Sequence, residues 1–175
     1  MPQTSSPQLQ QLHDLSAEVR DYVSENLMPF LEEKHTEELN KKMNSRNAVI
    51  SVVLQPVEAF ELEVKNKLSN AAHEILQCIN RIEDSQKQDT VLDVTNFLRY
   101  ARLNLEEAEK DIEAANSAWN SLNMYASRIE KQDGKLATAV NGIAEQLINM
   151  LEQTKNYRKE LYEKILMALN AIIAG

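Results

Sequence analysis

Few residues in this chain are spaced for chemistry. Glu32 and His35 form an E-x-x-H pair, a spacing that on a helix puts a carboxylate and an imidazole on one face and supplies half of a di-iron carboxylate site. A complete site needs a second such pair and two more inward carboxylates, yet neither His13 nor His73 has a glutamate three residues before it. With Glu33, Lys34, Glu37 and Glu38 around it, the pair reads as a solvated face, and no metal is expected. The one cysteine, Cys78, cannot form an intramolecular disulfide, and His73, five residues earlier, points well away from it on a helix. It reads as a small buried hydrophobe, not an activated thiolate. The chain has no G-x-S-x-G, no Walker loop and no dinucleotide fingerprint, and its three glycines are too few to cradle a phosphate. The expectation is a protein without catalytic residues, cofactor or small-molecule substrate.

The elements that would position any such residue are long helices. Only three glycines and four prolines occur in 175 residues, and two of those prolines are Pro2 and Pro7. At 43% hydrophobic and 26% charged, the chain is too apolar to stay disordered. A formal net charge of -8 without a cluster of Lys and Arg argues against nucleic acid, whose affinity is carried by such clusters. Only the stretch after Gly134 leans slightly basic. The first twelve residues lack the basic-then-apolar order of a secretory signal, and no apolar run is long enough for a membrane span. The reading is a soluble protein, either cytoplasmic or secreted without a cleaved signal.

From Val91 to Ile129 apolar residues fall alternately three and four apart, through Leu98, Ala101, Leu105, Ala108, Ile112, Ala115, Trp119, Leu122 and Ala126. A 3.5-residue repeat held this long implies a coiled-coil seam. It resumes after Asp133-Gly134 with Leu136, Val140, Ile143, Leu147, Met150, Thr154, Tyr157 and Leu161, and so short a link forces an antiparallel hairpin. Thr90 or Asp89 is a natural N-cap and Asp133-Gly134 a natural stop. The first half is less regular: Leu9, Leu12, Ser16, Val19, Val23, Leu27 and Phe30 form one stripe, with Pro29 expected to kink the helix without ending it. Ile50, Val53, Val57, Phe60, Val64, Leu68, Ala71, Ile75, Cys78 and Ile82 form the next. The pattern predicts an all-α fold of one domain, an elongated antiparallel four-helix bundle running up-down-up-down, with helices at about 6–44, 48–84, 89–132 and 135–174. Ala48 and Gly134 then lie at one end, Thr90 and Gly175 at the other.

Two stretches are apolar on nearly every face. In Ala48 to Phe60, the β-branched Val49, Ile50, Val52 and Val53 and the non-donating Pro56 allow either a kinked first turn and a half or an extended, hinge-like segment. Val49, Ile50, Val52, Val53, Leu54 and Val57 are the candidate contacts with a partner or a membrane there. Leu169, Ile172 and Ile173 are the candidates in the C-terminal stretch, where terminal packing or homo-oligomerisation is favoured over lipid. The acidic run Glu106 to Glu113 reads as the wet face of a helix, and Trp119 as core.

The segment Ala108 to Leu136, AEKDIEAANSAWNSLNMYASRIEKQDGKL, resembles a stretch of the α-helical pore-forming toxins of the cytolysin A and xenorhabdolysin type, where a long tail helix carries a similar Trp-x-x-Leu. The resemblance spans about a sixth of the chain. It implies a rod of long helices that converts on a membrane, usually beside a second protein component, and no enzymatic chemistry. Those proteins insert a hydrophobic head or tongue between tail helices, whereas Asp84 to Gln88 is short and polar, so the resemblance points to an accessory subunit. A soluble coiled-coil scaffold, adaptor or secretion chaperone is the other reading of the same heptads. Both expect a protein partner or homo-oligomer; only the first needs lipid.

Overall fold

A computed structural model describes residues 6–43 and 48–174. The turn expected at Asn44 to Asn47 lies outside the described residues. Among those described every regular element is helical: α1 (Pro7–Tyr22), a π-helical turn (Val23–Leu27), α2 (Met28–Glu32), α3 (His35–Lys42), α4 (Ala48–Ser85), α5 (Val91–Glu130) and α6 (Gly134–Ala174).

Local chemistry sets most of these boundaries. Ser6 caps α1, its Oγ accepting from the Leu9 amide at 3.1 Å, and Pro7 follows where a missing N–H costs nothing. Thr90 caps α5 by accepting from the Asp93 amide at 3.1 Å. Asp133 caps α6, accepting at Oδ1 from the amides of Lys135 and Leu136. The stop expected at Asp133-Gly134 comes slightly earlier, α5 ending at Glu130, and Gly134 is already the first residue of α6.

The first helix departs most from expectation, since the range 6–44 is not one helix. Pro29 lacks an amide hydrogen and its ring crowds the preceding turn. The chain absorbs this by widening, with the Met28 amide donating five residues back to the Val23 carbonyl, and continues helically to Glu32. The break comes after that, where Glu33 turns extended at ψ 147° before α3 begins at His35.

The contacts between helices fix their relative direction. Tyr125 of α5 reaches Val53 of α4 while Asn104 bonds Arg81, so α4 and α5 run antiparallel. Trp119 meets Ala144 and Arg158 meets Leu105, so α5 and α6 do too. Tyr22 touches Thr154 and Lys164 touches Gln11, which orders α1 against α6 in the same way. At about 1.5 Å per residue, the 40 residues of α5 span about 60 Å.

One continuous cluster of buried apolar side chains runs between these helices. Leu98, Leu105, Ile112, Leu122 and Ile129 of α5 are buried, with Ala101, Ala108, Ala115 and Ala126 between them bringing the neighbouring backbones close. Val140, Leu147 and Leu161 of α6 are buried as well. The aromatic seam candidates behave differently: Trp119 and Tyr157 are only partly buried, and their neighbours Ala118 and Arg158 take the inward positions. In α6 the buried stripe from Leu136 through Leu151, Thr154 and Arg158 to Ile172 advances by about 3.6 residues per step, the period of a straight helix.

Candidate interaction sites

Ala48 to Phe60 is helical throughout, which excludes the extended alternative. Pro56 cannot donate to the Val52 carbonyl four residues back, and the next carbonyl along, that of Val53, accepts from the Tyr125 hydroxyl at 2.8 Å. The six apolar candidates divide into two faces. Leu54 and Val57 are buried and Ile50 and Val53 pack against the core, whereas Val49 and Val52 are 68% and 62% exposed. At the C-terminus Leu169 and Ile172 are buried and Ile173 is 68% exposed. Because α4 and α6 both run antiparallel to α5, Val49 and Ile173 lie at opposite ends of the helices. No single apolar surface joins them.

The most elaborate polar construction is one that sequence reading missed. Where the backbone breaks between α2 and α3, Lys34 at the N-cap offers no side-chain bond, and a carboxylate from α4 does the capping. Glu61, 4% exposed, accepts from the amides of His35 at 3.0 Å and Thr36 at 2.9 Å, and from the Thr36 hydroxyl at 2.6 Å. One turn further along α4, Lys65, 5% exposed, donates to Glu61 Oε2 at 2.6 Å, to the Glu33 carbonyl, and to His35 Nδ1 at 2.9 Å. All three ammonium protons are thus used. His35 Nδ1 lies 3.0 Å from Glu61 Oε2 as well as 2.9 Å from the Lys65 ammonium, and its Nε2 lies 2.9 Å from Glu33 Oε2 but outside hydrogen-bond geometry. Phe30 closes the site, its ring centroid 5.0 Å from that of His35 and 5.1 Å from the Lys65 ammonium.

Burial alone would raise the Glu61 pKa, but the Lys65 ammonium and the Thr36 hydroxyl and amide outweigh it and hold the carboxyl at about 2. The group is a fixed anion at the positive end of a helix. Its chemistry is structural: it fastens α3 to α4.

Glu32 and His35 fall on different helices either side of the break, so the E-x-x-H spacing does not bring them to one face. Among the described residues no three His, Cys, Asp or Glu side chains converge as a metal site would need. Cys78 is fully buried, and burial pushes its thiol well above the ordinary range, with Arg81 pulling only weakly the other way. His73 is elsewhere, its Nδ1 2.7 Å from the Ser69 carbonyl on its own helix. In the acidic run Lys110 pairs with Glu107 at 3.0 Å, and Glu109 faces Arg158.

His13 carries a pH dependence. Its Nε2 is buried without a hydrogen-bond partner, and burial lowers its pKa below 6.5 although Asp14 and Glu83 pull it upward. The folded state therefore disfavours the charged ring. The stability that follows is complete above about pH 6.5 and is lost as the pH falls below it. His13→Leu should melt near the wild-type temperature at pH 8 and roughly 2 °C above it at pH 5, the effect kept small by solvent screening. Thermal scans at the two pH values check this; an equal shift at both would assign the gain to packing alone.

Among the described residues no helix is long and apolar enough to cross a membrane. No family model, no curated protein and no solved structure matches this chain.

Proposed function

We propose that the protein is a non-catalytic bundle that works through helix-mediated association with a protein or a membrane, as an accessory subunit of a multi-component α-helical pore-forming assembly. In this reading the pairwise antiparallel contacts form one up-down-up-down four-helix domain, in which α1 to α3 together make the first arm. The observation that carries the reading is the exposed apolar face of the α4 head. Val49 and Val52 are held outward by a helix whose other face, Leu54 and Val57, is packed. Burying what remains exposed of each valine in a partner or bilayer is worth roughly 1–2 kcal/mol, a contribution to reversible association.

The test is flotation of the purified protein with liposomes at neutral and mildly acidic pH, with release of an encapsulated dye, for wild type and for Val49→Asp/Val52→Asp. Flotation that the double variant abolishes supports a membrane-directed head. Flotation that survives it places the contact elsewhere, and its absence at both pH values removes the membrane part of the proposal.

A scaffold or adaptor role without lipid is favoured by a different feature, the cleft of about 460 Å³ beside the Glu61 clamp. Met28 and Leu31 line it with Leu62, which is 59% exposed, and Glu32 and Glu58 flank these side chains. An apolar floor with acidic edges suits a basic amphipathic helix.

A further inference from the structure

Arg158 is a buried charge for which the fold provides poor partners. It occupies the inward stripe of α6 between Thr154 and Leu161 and is 8% exposed. A guanidinium has five N–H donors. In Arg158 one, Nε, reaches the Leu105 carbonyl at 3.3 Å and one, on Nη2, reaches Glu109 Oε2 at 3.4 Å, both at the long end of bonding range. Its carbon lies 5.2 Å from the Tyr162 ring centroid. The remaining N–H groups bond no atom of the described residues and are not sealed from solvent, which leaves them available to a ligand.

The guanidinium lines a cleft of about 580 Å³ between α5 and α6, floored by Ile112 and Leu151. The two walls carry opposite charge. Lys155 and Lys159 stand one turn apart on α6 beside Arg158, and Glu109 and Glu113 stand one turn apart on α5. Among the described residues Lys155, Lys159 and Glu113 form no ion pair, and Glu109 has only its long contact to Arg158. Charges that close across a cleft would ordinarily neutralise one another; here they face a shared volume instead.

Such a volume complements a ligand that carries both signs. Three cations on one wall, one of them a planar fork, match a group with several anionic oxygens, and the opposite carboxylates match an ammonium a few bonds away. We propose that the α5–α6 cleft binds a zwitterionic phosphoester, with phosphate on Arg158, Lys155 and Lys159 and ammonium on Glu109 and Glu113. This site shares no residue with the α4 head and stands or falls independently of the function proposed above.

Isothermal titration of the full chain with O-phosphoethanolamine, inorganic phosphate and ethanolamine tests it. The expected result is saturable binding of O-phosphoethanolamine about tenfold or more tighter than either fragment. Lys155→Gln/Lys159→Gln, both exposed positions, should weaken it about tenfold while leaving the melting temperature unchanged. Glu113→Gln should narrow the preference over inorganic phosphate. Vesicles containing phosphatidylethanolamine, run against vesicles of phosphatidylglycerol, separate the sources: flotation that the lysine variant loses assigns a lipid headgroup, and binding of the free compound alone assigns a soluble ligand. Equal affinity for inorganic phosphate, or binding that the lysine variant leaves intact, would overturn the proposal. So would the lack of saturation by both the free compound, at up to about 10 mM, and the vesicles.

Discussion

Glu61→Ala is expected to lower the unfolding free energy by about 3–5 kcal/mol, because removing one member of a buried pair strands the other. Lys65 would keep its charge in a site it shares with Phe30 and His35, and the His35 and Thr36 amides and the Thr36 hydroxyl would lose their acceptor. The loss has a ceiling. Thr36 is the one fully buried side chain of α3, with Leu39 partly buried, so this short helix can undock and let Lys65 reach water while the rest stays folded. Hydrogen exchange should therefore show the His35 and Thr36 amides losing protection before the amides of α5, and limited proteolysis should cut between residues 33 and 42. Glu61→Leu/Lys65→Met, which removes both charges, should recover most of the loss but keep the uncapped amides, a residue of about 1 kcal/mol. If Glu61→Ala unfolds with wild-type stability and protection, the clamp contributes nothing and α3 is held by other contacts.

The same carboxylate gives an acid signature. Its folded pKa, about 2, lies below the ordinary 4.5, so the stability it contributes is present above about pH 4.5 and is lost as the pH falls toward 2. Glu61→Gln never has that contribution. The gap between wild type and Glu61→Gln in chemical denaturation should be widest above pH 4.5 and close toward pH 2; a gap that stays constant would mean the carboxylate is not the group that titrates.

The long helices are legible in the sequence because a repeat of three and four over forty residues admits little else. Thr90 and the stripe Leu98 to Ile129 are where the spacing puts them. Three misreadings of the buried stripe share one form. At Phe60-Glu61, Trp119 with Ala118 before it, and Tyr157-Arg158, the pattern offers an aromatic beside a small or charged residue, and hydrophobicity alone selects the aromatic. The fold turns the other one inward. Alanines at Ala101, Ala108, Ala115 and Ala126 bring the backbones too close for rings at the centre, so the rings lie along the flanks and tie neighbouring helices together. Phe60 meets Tyr125 with centroids 6.3 Å apart, Tyr157 meets Tyr22 at 4.9 Å, and the Trp119 indole donates to the Ala144 carbonyl at 2.7 Å. Glu61 and Arg158 do have a sequence signal: each falls on the three-and-four spacing, between Val57 and Val64 and between Thr154 and Leu161. What spacing cannot supply is the partner, since Glu61 serves amides 25 and 26 residues away.

Val57→Asp is expected to cost about 4 kcal/mol or more, while Val52→Asp, one and a half turns earlier, should cost less than about 0.5 kcal/mol. Val57 is 0% exposed, whereas Val52 already meets solvent. A buried aspartate resists ionisation, so its folded pKa rises above the unfolded value near 3.9. The penalty then grows with pH above about 4, and Val57→Asp should come closest to wild type in acid. Denaturant titrations at pH 4 and pH 8 read both effects. The pair also bounds what the head can do at a surface. Val49 and Val52 can reach a bilayer with α4 intact, but deeper entry must first withdraw Leu54 and Val57 from the core, at roughly 1.5–3 kcal/mol each. If Val57→Asp is tolerated to within about 1 kcal/mol, that barrier is absent and the head is free to insert. If it costs the full amount, the head engages lipid or protein only through its outer face until something else, a partner helix or oligomerisation, supplies the energy to unpack it.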